Sequence, residues 1–128
     1  MYSSNVGSPV CAGIYHGIIK DVTERIRKTV NGDVYTFEFI VEVETNNGWV
    51  TFKSTTFESD YENSRYQKLV NEICNRYHVE QFSFDEHIGM DLTMKISLNY
   101  SNGTDYPNID WYEPYEVWGV KVWIRLIK

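Results

Sequence analysis

A single helical pattern sits inside a chain of strand patterns, with three strand-like runs before it and two or three after it. That order constrains the fold more than any motif does. The spacing predicts a helix from Ser59 to about His78, with Ser59 as N-cap and Glu62 three residues on, where each side chain reaches the other's unsatisfied backbone N–H. Tyr66, Leu69, Val70, Ile73, Cys74 and Tyr77 fall on one side of the cylinder, while Arg65, Lys68, Glu72, Asn75 and Arg76 take the other. One helix with one apolar stripe must lie against a sheet or close the end of a barrel.

The strand patterns on either side are regular. Ala12 to about Val30 is rich in β-formers and carries Gly17 near its start, a place for a sharp bend, before Asn31-Gly32-Asp33 turns the chain. Tyr35, Phe37, Phe39, Val41 and Val43 alternate with polar neighbours and predict a buried face, and Asn46-Asn47-Gly48 turns the chain again. The third run, Trp49 to Phe57, sets Trp49, Thr51, Lys53 and Thr55 on one face. After the helix, Gln81 to Gly89 reads as a loop covering the core with Phe82 and Phe84. The fourth run alternates from Met90 to Tyr100, and a fifth near Ile109 to Tyr112 is expected to end at Pro114. A last run, Val117 to Ile127, predicts an extra C-terminal strand that is apolar on both faces, and therefore a contact with a barrel edge or with a second subunit in a homodimer.

At 128 residues the chain is long enough to bury one core without help from a metal or disulfides. Residues 1–11 read as a loose tail and 12–128 as a single domain. The start has no basic and apolar leader pattern, and no run approaches the length of a membrane span, so a cytoplasmic location is expected. Cys11 and Cys74 do not make a disulfide framework, which fits a reducing compartment.

Strand, turn, strand, turn, strand, helix, strand, loop, strand is the order of the OB-fold, a five-stranded barrel with its helix between strands three and four. Gly13-Ile14-Tyr15, Ile88-Gly89-Met90-Asp91-Leu92-Thr93-Met94 and Asn108-Ile109-Asp110-Trp111-Tyr112-Glu113-Pro114 resemble small OB-fold proteins of phages and mobile elements of Gram-positive bacteria. The resemblance spans residues 12 to 114 and implies binding of single-stranded DNA during replication or recombination. Unlike bacterial single-strand-binding proteins, which end in an acidic tail, this chain ends in an apolar and basic run.

Binding a single strand requires cations for phosphates and exposed rings for base stacking. Lys20, Arg25, Arg27 and Lys28 form a basic cluster on the first strand, Lys53 shares a face with Trp49, and Tyr106 and Trp111 follow in the acidic region. A solvated strand edge would use the same cations, and a core the same rings. Residues 80–116 carry eight carboxylates against Lys95 alone, more negative charge than the −6 of the whole chain. That asymmetry supports a second expectation: an acidic inhibitor of the anti-CRISPR type, imitating nucleic acid and blocking a nucleic-acid-binding host protein through Asp85, Glu86, Asp105, Asp110 and Glu113. Enzymatic chemistry is not expected. His16, His78 and His87 are scattered, no ligand spacing suggests a metal, no phosphate-cradling loop occurs, and no cofactor is implied.

Overall fold

The computed structural model describes residues 8–117 and 120–122. Strands β1 (Gly13–Thr29), β2 (Gly32–Thr45) and β3 (Gly48–Phe57) precede helix α1 (Arg65–Tyr77), and β4 (Leu92–Ser101), β5 (Thr104–Val117) and the short β6 (Val120–Val122) follow it. The protein is mainly β. Every pairing is antiparallel, and the spatial order is β3-β2-β1-β4-β5, with β6 added along the end of β5.

β1 joins the two halves of the sheet. Its residues Gly13–Gly17 pair with β4, and Gly17–Thr29 pair with β2, so Gly17 alone lies in both ladders. A Cβ at Gly17 would stand 2.8 Å from the Met94 methyl and 3.0 Å from Val43 Cγ1. Only the absence of a side chain lets the strand cross here. Past this point an extra residue, Lys20, bulges between the Ile19 and Asp21 pairings and re-aims the rest of β1 along β2.

The hairpin turns have a local cause. In Thr29-Val30-Asn31-Gly32 and again in Thr45-Asn46-Asn47-Gly48, the threonine hydroxyl donates to the glycine carbonyl and accepts from the asparagine N–H. Gly32 and Gly48 take positive φ angles of 115° and 107°, where a side chain would be strained.

The expected fourth strand and the cover by Phe82 and Phe84 match the structure, with Phe84–His87 forming a short 3-10 turn. Other boundaries moved. The helix N-cap is Ser64 rather than Ser59, because Ser64 Oγ accepts from Gln67 N–H at 3.1 Å, and Ser59 Oγ instead accepts from Tyr61 N–H. The fifth strand runs through both Pro107 and Pro114, paired with Leu98 and Leu92, so the acidic segment expected as a loop is mostly strand. Pro is tolerated there because most of β5 is paired on one side only.

The sheet does not close into a barrel: β3 and β5 approach each other without pairing, and α1 lies against both. Leu69 and Ile73 carry the helix into a core built from Ile19, Phe39, Val41, Val43, Phe52, Leu92, Met94, Ile96, Ile109 and Tyr112. Val10 is buried in the same core, although composition places it in the tail. Residues 1–7, 118–119 and 123–128, which include most of the apolar run expected to meet a second subunit, lie outside the described residues. No described helix is long and apolar enough to cross a membrane.

Replacing Gly17 with Ala is expected to lower stability by about 1–3 kcal/mol, since Met94 can swing away but the β-branched Val43 cannot. Chemical denaturation checks this, and an unchanged midpoint would show that the crossing has room to spare.

Candidate nucleic-acid interface

Residues directly opposite on neighbouring strands share a face of the sheet. The register therefore places Arg25, Thr36 and Phe57 in one row, Thr23, Glu38 and Thr55 in the next, and Asp21, Ile40 and Lys53 in a third, all on the face opposite Phe39 and Val41. The β4–β5 hairpin stands beside this face. Between them lies a cleft of about 850 Å³ whose lining includes Arg27, Lys53, Phe57, Tyr106, Asn99 and Asn108. Phe57 and Tyr106 are 54% and 49% exposed, so both rings are open to a ligand.

Three of the residues singled out from the sequence, Arg27, Lys53 and Tyr106, thus meet in one cleft. The others go elsewhere. Lys20 pairs with Glu42 at 3.9 Å, Arg25 donates to Glu38 at 2.9 Å, and Lys28 pairs with Asp33 at 3.9 Å. The Arg25 hydrogen bond is the main reason that the Glu38 carboxyl titrates below its ordinary range. Trp49 shares the face of Lys53 but sits four residues back along β3, roughly 13 Å away. There its ring meets His16 edge-on, at 5.2 Å.

Trp111 lines a second cavity, of about 520 Å³, between α1 and the β4–β5 hairpin. Arg76 lies over its ring at 3.5 Å from the centroid, and the Arg76 guanidinium is also hydrogen-bonded to Glu113. Asp110 is the extra residue between the pairings of Trp111 and Ile109, so Trp111, opposite Lys95, falls on the same face of the hairpin as Tyr106, opposite Asn99, four residues apart along β4. Arg65, Lys68 and Lys95 reach the same cavity.

Nine Lys and Arg side chains are described, and they sort cleanly. Lys20, Arg25, Lys28 and Arg76 have a carboxylate within 4.0 Å. Arg27, Lys53, Arg65, Lys68 and Lys95 form no ion pair among the described residues, and each lines one of the two cavities. Phe57, Arg65, Lys68 and Lys95 were missed from the sequence as site residues. Nothing local marks them, because a cation on an exposed helix or strand face looks the same whether or not a carboxylate stands across from it.

The acidic residues considered for a protein-partner surface are divided between the 3-10 turn and β5. Asp110 accepts from Ser97 Oγ at 2.7 Å, Glu113 holds Arg76, Glu86 accepts from Ser83 N–H, and Asp105 stands at the far end of the β4–β5 hairpin. Asp85 is exposed on the 3-10 turn.

Two histidines bridge elements. His16 joins Asp91 at 2.8 Å and Glu44 at 3.3 Å and stacks on Tyr115 at 3.8 Å. His87 is buried, with Nδ1 at 2.7 Å from the Tyr112 hydroxyl and its ring stacked on Tyr77. Burial raises both phenols well above their ordinary range, and it also raises the Cys74 thiol, against the reactive thiolate form. Among the described residues no group of three or more His, Cys, Asp or Glu is placed to hold a metal ion.

No family model, curated protein or solved structure matches this chain.

One acid pair yields a pH test. Burial and then the adjoining Glu24 carboxyl raise the pKa of Glu58. A carboxyl whose folded pKa lies above its unfolded one favours the folded state while protonated, so stability falls as pH rises through that window. Glu24→Gln is expected to raise the thermal midpoint at pH 7, with the gain fading below the ordinary carboxylate range. A midpoint gain that persisted in acid would refute this assignment.

Proposed function

We propose that this protein is an OB-type domain that binds single-stranded DNA without catalysis, in replication or recombination of a phage or mobile element. The observation that carries the reading is the cleft holding Arg27, Lys53, Phe57 and Tyr106. It lies on the outer face of β2 and β3, flanked by the β4–β5 hairpin. In OB-folds the face of strands two and three, with the loops joining strands one to two and four to five, is where oligonucleotides bind.

The strand order supports this reading, since β1 pairs with both β2 and β4 while β3 and β5 run close together on the far side. The chemistry of the cleft agrees. Arg27 and Lys53 supply positive charge to phosphates, Phe57 and Tyr106 present faces on which bases stack, and the exposed Asn99 offers its amide to base edges. Glu38 also lines this cleft, but it is hydrogen-bonded to Arg25, which leaves Arg27 and Lys53 without an ion pair within 4.0 Å among the described residues to meet a polyanion.

Titration against a fluorescent oligothymidylate at low and moderate salt tests the proposal. Binding should weaken with salt at a slope of roughly −0.7 per phosphate contacted. Tyr106→Ala should cost roughly 1–3 kcal/mol of affinity, the usual value of one stacked base, and Arg27→Glu with Lys53→Glu should remove most binding. Absence of wild-type binding at low salt would sink the reading.

A further inference from the structure

The second cavity has the same ingredients as the first, and the two adjoin. Along β4, Lys95 and Ser97 line the second cavity and Asn99 and Ser101 line the first. Along β5 the division falls between Ile109 and Asn108. The β4–β5 hairpin is therefore a shared wall, with a basic compartment at each end.

Charge in the second compartment is unbalanced toward cations. Arg65, Lys68 and Lys95 face two lining carboxylates, of which Glu72 lies 3.5 Å from Arg76 Nε, while Asp110 keeps its charge and accepts from Ser97 Oγ at 2.7 Å. Arg65 and Lys68, three residues apart on α1, project from the same side of the helix, and Lys95 reaches in from β4. None of these three has a carboxylate within 4.0 Å among the described residues. The Trp111 indole, fixed by the Arg76 guanidinium 3.5 Å from its centroid, forms part of the wall. Leaving three lysine and arginine heads unpaired around an aromatic wall does nothing for folding. It suits an anionic ligand with a flat ring.

We infer that the α1/β4–β5 cavity is a second subsite for the same single strand, so that one DNA chain runs from the Arg27–Lys53 cleft along the hairpin. Its next phosphates would meet Arg65, Lys68 and Lys95, and a further base would meet Trp111. The inference rests on the proposed function and extends it to a longer footprint, which the first cleft alone does not require.

The test compares two oligothymidylates, of about 4 and about 12 nucleotides, which lie at the lower end and well inside the range covered by single OB-type domains. The short strand fills the first cleft only, and the long one reaches both. Lys68→Glu combined with Lys95→Glu should weaken the 12-mer about tenfold, lower its salt slope by roughly 0.7 per lost phosphate contact, and leave the 4-mer unchanged. Both lysines are exposed, so an unaltered thermal midpoint will show that the double variant is folded. Equal effects on both lengths, or none on either, would overturn the second subsite. If wild-type binding and its dependence on Arg27 and Lys53 are intact, such a result leaves the first cleft standing. Failure of the wild type to bind either length overturns both readings.

Discussion

Everything in the sheet hangs on the crossing at Gly17. β1 belongs to both halves of the sheet, and it changes partner where Val43 and Met94 would meet any side chain. The adjoining residue secures that end: His16 joins Glu44 of β2 to Asp91 just ahead of β4 and stacks on Tyr115 of β5. From this joint the β1–β2–β3 and β4–β5 arms diverge, and the first cleft opens between them. The helix lies against β3 and β5, where the sheet is open, and its outer turns form one side of the second cavity.

Charge placement is the other organising constraint. Surface ion pairs contribute little to stability, about 0–1 kcal/mol each, because ordering two long side chains offsets most of the attraction. Folding therefore has no strong reason to separate paired cations from unpaired ones. Yet Arg27, Lys53, Arg65, Lys68 and Lys95 all lack a carboxylate within 4.0 Å among the described residues and all line cavities, while Lys20, Arg25 and Lys28 are paired on β1 and β2. That separation is the observation on which the proposed binding groove rests.

Local chemistry was readable where periodicity carries it. The alternation through Phe39, Val41 and Val43, the asparagine-glycine turns and the apolar stripe of Leu69 and Ile73 all follow from side-chain period. Two boundaries were misread because two local patterns competed. Ser59-x-x-Glu62 and Ser64-x-x-Gln67 both resemble helix starts, and the serine nearer the apolar stripe caps the helix. Pro107 and Pro114 read as strand breakers, but a strand paired mainly on one side has positions that need no backbone N–H. That Tyr106 and Trp111, five residues apart, share a face of the hairpin depends on the bulge at Asp110, a change of one residue that no alternation pattern reveals.

By itself, then, the sequence determined the order of strands and helix, the buried faces, the turns, and a β-rich domain with cations in its early strands and acids in its later ones. Local hydrogen bonding and the periods of strand and helix suffice for that. Only the tertiary structure decided that the sheet stays open, that Arg27 meets Lys53 and Tyr106, and that Arg65 and Lys68 face Lys95 across a cavity walled by Trp111. These are meetings between distant segments, set by cross-strand register, the crossing at Gly17 and the docking of α1. Whether a cation is neutralised likewise depends on what stands opposite it in space, which its neighbours in the chain do not encode.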